Sequence, residues 1–301
     1  MTTPRWDILG IGNAAVDELI YLDSFPLPDS KMPVREVKRQ GGGLTATALA
    51  AAARQGAKAA FCSLLGYDEL SEFTLADLAG EGVDTAPCVR DPRGIPYHAF
   101  ILVERAGQTR TILYQPGRVE PPPETITPEL VADCRVLFFD HHAPASGAKA
   151  ARLARERGIP VVVDIESERV PNLPELLDLP DHLILSLRFA RRITGLGQPD
   201  EILRALFIPG RVCAAVTAGV DGCWFLASGS GEVQHQPAFK VDAVDTTGCG
   251  DVFHGVYAAA LARGEDIPRA VELASASAAL KATRPGGRAG IPTLAAAEEF
   301  L

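Results

Sequence analysis

Two kinds of cross-link are missing from this chain. Its six cysteines, at 62, 88, 134, 213, 223 and 249, include no C-x-x-C pair. That spacing speaks against a zinc site and a disulfide framework and predicts reduced, mostly buried thiols. Basic residues are in deficit: 29 Lys and Arg stand against 38 Asp and Glu, a formal charge of −9 with a pI near 5.2. The expectation is no nucleic acid and no membrane as partner, with room only for a local basic pocket. No uncharged apolar run reaches the roughly 20 residues of a spanning helix. The start, Met1 to Asp7, carries no signal-peptide apolar region. These absences lead to an expected cytoplasmic location.

What is present is a globular composition, 301 residues at 47% hydrophobic content. That length holds one large α/β unit or two small ones, and disorder is not the default. Strand-like apolar runs alternate with helical stretches. Trp6–Gly12, Lys58–Gly66, Val136–Phe139, Val161–Asp164, Leu183–Leu185 and Val212–Thr217 read as strands. Leu44–Arg54, Leu70–Glu81, Ser146–Arg157, Val252–Leu261 and Ile267–Ala282 read as helices. Uninterrupted apolar strands between helices imply a parallel sheet covered on both faces, with ligands at the strand C-terminal ends. Asp140 and Asp164 fall at two such ends. Tyr97–Arg105 and Thr109–Gln115 are extended and joined by a hairpin signal at 106–108.

The chemistry concentrates in Asp245-Thr246-Thr247-Gly248-Cys249-Gly250-Asp251. Glycines flank one small residue and a helix follows. Such a turn aims N–H groups outward at a positive helix end, which is an anion site. Asp251 at its mouth reads either as a simple cap or as a base for a hydroxyl attacking a bound phosphate. Gly42 and Gly43 stand likewise before an Ala-rich helix closed by Gly56. Gly10, Gly12 and Ala15 have the spacing of a dinucleotide fingerprint, but the helix that fingerprint needs does not follow. Asp140-His141-His142 are adjacent residues, which converge poorly on one metal ion.

The string Asp245–Asp251 resembles the D-T-x-G-A-G-D signature of the ribokinase-like (PfkB) carbohydrate kinases, with Cys249 where Ala is usual. Gly42 to Gly56 resembles the family's G-G-x-x-x-N-x-A-x-x-x-A-x-x-G, with Thr47 in place of Asn. The likeness implies a ribokinase-like three-layer αβα sandwich with a mostly parallel central sheet and a small β-sheet lid. It implies one domain, 1–301, with lid segments near 18–40 and 95–116 that pair as a homodimer. Tyr97, Phe100 and Tyr114 are expected to pack within the lid or core.

The site residues the resemblance implies are as follows. Asp251 is the catalytic base, with the Gly248, Cys249 and Gly250 N–H groups as the anion hole. Asn13, Asp17, Gly42, Gly43 and Thr47 border the sugar, and Lys31 could meet an anionic substituent. Ser186, Thr217, Gly219, Gly222, Thr246, Gly248, Gly250 and Gly287 hold ATP. Asp164 holds Mg2+ through water. Asp245 and Thr247 hold a monovalent cation such as K+. Arg284 and Arg288 could meet phosphate. Two family features are absent: Glu166 and Glu168 replace the Asn and Arg of D-x-N-x-R, and Phe189 stands where N-x-x-E has its Glu. The C-terminal sixty residues look most like the sulfofructose-kinase branch. The resulting expectation is an ATP-dependent kinase acting on a hydroxyl of a fructose-like or modified, even anionic, hexose. A nucleoside kinase and a non-catalytic sugar-binding protein of the same fold are the alternatives.

Overall fold

A computed structural model describes residues 3–104, 106 and 109–301. Gly107 and Gln108 of the expected hairpin turn, and Arg105 before it, lie outside the described residues, as do Met1 and Thr2. In chain order the first half runs β1 (Trp6–Ile11), β2 (Ala15–Leu22), β3 (Glu36–Gly42), α1 (Leu44–Arg54), β4 (Ala59–Cys62), β5 (Leu64–Leu65), α2 (Glu69–Gly80), β6 (Val89–Arg90), β7 (Tyr97–Glu104), β8 (Thr109–Gln115), α3 (Pro128–Ala132) and β9 (Cys134–Asp140). The second half runs α4 (Pro144–Arg155), β10 (Val161–Asp164), α5 (Leu173–Asp178), β11 (His182–Ser186), α6 (Leu187–Thr194), α7 (Pro199–Leu206), β12 (Cys213–Thr217), β13 (Cys223–Ala227), β14 (Val233–Gln236), α8 (Cys249–Arg263), α9 (Ile267–Ala282) and α10 (Leu294–Phe300).

The central sheet has the order β14-β13-β12-β11-β10-β9-β1-β4. Strands from β4 to β12 pair in parallel; β13 and β14 turn back antiparallel at one edge. Alternate side chains of each strand enter two separate cores. Ile8, Phe138, Val162 and Ile184 pack with α1, α8 and α9; Leu9, Leu137, Val163 and Leu183 pack with α4, α6 and α7. This is the three-layer arrangement that the sequence implied.

Close helix packing sets the position of α8. A Cβ built on Gly255 would lie 1.9 Å from the Ala48 carbonyl oxygen of α1. Only glycine allows that approach, and it brings the N-terminus of α8 over the sheet's C-terminal edge.

A second sheet, β3-β2-β7-β8, stands apart from the first. Its β3 falls in the expected lid segment 18–40, where Glu36-Val37-Lys38-Arg39 is polar and exposed. The strand forms because it pairs with β2 from Tyr21↔Glu36 to Ala15↔Gly42. Register puts Asp17, Gln40, Ala99 and Tyr114 in one row on one face of this sheet. Phe100, Leu113, Val37 and Ile20 occupy the other face. The expected strand Lys58–Gly66 is two strands, β4 and β5, separated at Ser63, which donates its hydroxyl to the Val119 carbonyl at 2.9 Å.

Candidate active site

Asp140 and Asp164 end neighbouring parallel strands and are partners in register. Their roles differ. Asp140 is fully buried and accepts from Asn13 N at 2.7 Å, Thr45 N at 3.1 Å, Thr45 Oγ1 at 2.7 Å and His142 N at 2.8 Å. It is therefore a brace. The Ala46 N–H goes to the Asn13 carbonyl at 3.0 Å. At the start of α1 the Thr45, Ala46 and Thr47 N–H groups are thus occupied, which leaves it less open to an anion than its glycines suggested.

The start of α8 is different. Gly248 caps the helix with φ +74°, a left-handed conformation open to glycine. The Cys249 N–H closes a turn onto the Thr246 carbonyl at 3.2 Å, and Val252 N bonds Gly248 O at 2.9 Å. The Gly250 and Asp251 N–H groups are left, among the described residues, without a backbone partner. Of the three N–H groups expected to form an anion hole, Cys249 N–H is engaged in the turn, whereas those of Gly248 and Gly250 have no backbone partner among the described residues.

Asp251 sits in this first turn, partly buried. Burial and the negative charges of Asp164, Glu166 and Asp140 hold its carboxyl well above the usual carboxylate range, with His254 pulling the other way. Asp164 is raised likewise, by burial, Glu166 and Asp140. Crowded carboxylates of this kind gain from a divalent cation with oxygen preference. No group of three His, Cys, Asp or Glu among the described residues converges closely enough to enclose a metal. Glu166 was visible in the sequence only as a departure; it stands near the site that Phe189, buried in the core, leaves without its glutamate.

A cavity of about 460 Å3 opens beside this helix start. Thr217, Gly219, Gly222, Thr246 and Gly250 line it, as expected, together with apolar Phe253 and Ala279. The volume lies in the range of cofactor sites. Ser186, Gly248 and Gly287 are not in its lining. The Ser186 hydroxyl instead caps α6, accepting from Phe189 N at 3.2 Å.

The second sheet carries Asp17 and reaches the Asp245–Thr247 loop through Arg110. Asp17 is buried, and burial pushes its carboxyl up to about 6, with Gln40, Arg288 and His98 offsetting part of the rise. Gly42 abuts it: a Cβ there would meet Asp17 Oδ2 at 2.4 Å. Gly43 caps α1 against the Ala14 backbone. Asn13 Oδ1 and Gln40 Nε2 are buried polar atoms without a partner among the described residues. Lys31 is exposed on the loop between β2 and β3. Tyr97 meets His142 at 4.8 Å and Tyr114 at 6.1 Å between ring centroids.

The contacts of two arginines, Arg288 and Arg110, were not legible in the sequence. Thr47 receives Arg288 Nε at 3.3 Å. Arg288 also donates to the Gly42 carbonyl at 3.1 Å and pairs with Asp77. Its guanidinium is therefore spent behind the sugar side rather than on a phosphate. Arg110, on the Asp17 face of β8, crosses to Asp245 Oδ1 at 3.1 Å and to the Thr247 hydroxyl, joining the second sheet to the anion-hole loop.

The comparisons with known proteins agree with this layout. The pfkB family carbohydrate kinase pattern matches residues 8–294. The chain is 28% identical to a ribokinase of Haemophilus influenzae, over 97% of both chains. It is 28% identical to fructokinase-1 of Oryza sativa subsp. japonica, over 84% of this chain and 85% of that one. Arabidopsis thaliana ribokinase complexed with ribose and ATP superposes with a TM-score of 0.87 at 20% identity, over 99% of both chains, and so shares the fold.

Proposed function

The chain belongs to the pfkB family of carbohydrate kinases, and from that premise we propose that it transfers the γ-phosphate of ATP to a hydroxyl of a neutral, hydroxyl-rich sugar, with Asp251 as general base. The family's enzymes are sugar phosphotransferases that use ATP with Mg2+. One observation carries the finer reading: the free N–H groups of Gly250 and Asp251 and the Asp251 carboxyl share one helix turn, beside the 460 Å3 cavity that Gly250 lines. The sugar hydroxyl loses its proton to Asp251 as it attacks in line, and the helix start receives the charge on the transferring phosphoryl. Bound Mg2+ supplies positive charge to the phosphates and lowers the carboxyls that repel one another; Asp164 and Glu166 would hold its waters.

Asp17 accepts sugar hydroxyls, and the unpartnered Asn13 Oδ1 and Gln40 Nε2 suit groups that both donate and accept. An anionic substituent is disfavoured beside Asp17, because Arg288 is already spent on Asp77 and Lys31 is exposed on its loop. Sulfosugars therefore rank below neutral hexoses and pentoses. The second sheet acts as the lid of a single kinase domain, 1–301. Its outer face exposes Val37, Phe100 and Leu113, a surface suited to a second copy of the chain. A nucleoside acceptor is the second reading, favoured by the Tyr97, Tyr114 and His142 rings.

The test is a coupled ADP-release assay over neutral sugars, sugar phosphates, sulfosugars and nucleosides. Turnover with one neutral sugar class supports the proposal; turnover only with nucleosides replaces it. MgADP binding with no turnover on any acceptor would leave a sugar-binding protein. Light scattering after size exclusion checks the dimer, whose mass would be twice the monomer's.

A further inference from the structure

The sequence likeness implied that Asp245 and Thr247 hold a free monovalent cation, and the residues present do not fit that ion. Both carboxylate oxygens of Asp245 are already taken. Oδ1 accepts from Thr247 N at 2.8 Å, Thr247 Oγ1 at 2.6 Å and Arg110 Nη1 at 3.1 Å; Oδ2 accepts from Gly286 N at 2.8 Å. The Thr247 hydroxyl also faces Arg110. The Asp245 carbonyl, the remaining oxygen, accepts from Lys281 Nζ at 2.8 Å.

Lys281 is fully buried, which is unusual for lysine. It lies in the last turn of α9, where the helix end favours positive charge. Burial lowers its ammonium from the ordinary lysine value, and Asp245, Cys249 and Asp251 act against that fall. The neighbouring Ala282 carbonyl accepts from Val244 N at 2.7 Å and Asp245 N at 3.0 Å. The end of α9 therefore grips Asp245 through backbone and ammonium together, immediately before the turn that forms the anion hole.

We propose that Lys281 is a tethered replacement for the monovalent cation, so that the nucleotide site of this chain is assembled without K+. The ammonium brings one positive charge and three donors on a stem fixed to the fold. A free ion must be bound from solution, and its site then fills with its concentration. The tethered charge is always in place. Arg110 adds a second fixed cation on the same aspartate. The proposal rests on the kinase reading of the site.

The test measures MgADP affinity by thermal shift and, with an accepted sugar, turnover. Choline chloride holds ionic strength constant while K+, NH4+ or Na+ replaces it. The wild type is expected to keep both quantities within about twofold in every buffer. An increase of about tenfold or more with K+ or NH4+ would overturn the proposal while leaving the kinase reading intact. Absence of any MgADP shift in all buffers would overturn the kinase reading and this one with it. Lys281→Met removes the charge and keeps much of the volume. It is expected to lose MgADP affinity about tenfold and to recover part of it with NH4+ or K+. A Lys281→Met protein with wild-type affinity in choline would also overturn the proposal. Should that variant not fold, the wild-type cation series decides alone.

Discussion

His254 Nδ1 lies 3.5 Å from Asp164 Oδ2, and the same ring stands between two backbone carbonyls, Gly250 O at 2.8 Å and Ile184 O at 3.1 Å. The ring is buried and lies three residues after Asp251 in α8. It therefore ties the first turn of the helix to the end of β11. His254→Ala is expected to cost about 2–4 kcal/mol, from the lost polar contacts of the ring with the Gly250 and Ile184 carbonyls and the space left behind. Urea unfolding measures the loss. Because the first turn of α8 carries Asp251, kcat should fall more than KM rises. An unchanged midpoint together with unchanged kcat would remove the positioning role.

Asp17 makes stability depend on pH in a defined direction. Its folded value, about 6, is above the ordinary carboxylate value of 3.8. Between those two values the native state holds more proton than the unfolded chain. Stability therefore falls as pH rises through that window, and the full penalty remains above it, about 3 kcal/mol at about 1.4 kcal/mol per pKa unit. Asp17→Asn should flatten this slope and raise the melting point at pH 8, while sugar binding is lost. Melting points from pH 4 to 8 check it; an unchanged slope in the variant would assign the effect to another group.

Arg288 pairs with Asp77 while also holding Thr47 and the Gly42 carbonyl. Breaking a buried pair by removing one member is strongly destabilising, about 3–5 kcal/mol. Arg288→Met should show a loss of that order in denaturant and a raised KM for the sugar, because Gly42 and Asp17 are adjacent. A KM change for ATP alone would place the arginine on the phosphate side instead.

Much of this layout was legible in the sequence, for identifiable reasons. The parallel strands are short apolar runs bounded by glycine and acids, and the start of α8 is written in contiguous residues. Asp251 and the cavity-lining Thr217, Gly219 and Gly222 followed from local pattern and likeness. What was not legible depends on contacts distant in sequence. Arg288 finds Thr47 across 241 residues, Lys281 finds the Asp245 carbonyl across 36, and Arg110 finds Thr247 across 137. No spacing rule reports such pairs. Residues 36–40 were legible only as part of a lid segment; pairing with β2, not their own composition, makes them strand β3. Ser186 stands outside the cavity, and its hydroxyl accepts from Phe189 N at the start of α6, a local cap that the sequence likeness does not report.

Cys249 is a milder departure. Its thiol donates to the Ala278 carbonyl at 3.5 Å, and burial raises it above the ordinary thiol value. Its N–H closes the turn onto Thr246, a backbone contact that any small residue retains. Cys249→Ala is expected to keep kcat within about twofold, and the wild-type thiol should alkylate slowly at neutral pH because little thiolate forms. Rapid loss of activity with iodoacetamide that tracks modification of this residue would contradict the assignment.

The central claim is that Asp251 removes the proton from the acceptor hydroxyl at a phosphate-binding helix start. The most direct measurement is turnover and MgADP binding of Asp251→Asn, side by side with the wild type. The account predicts retained or tighter nucleotide binding, since a carboxyl that repels phosphate is gone, with turnover reduced about 10²–10⁴-fold. Turnover within a few-fold of the wild type would contradict it.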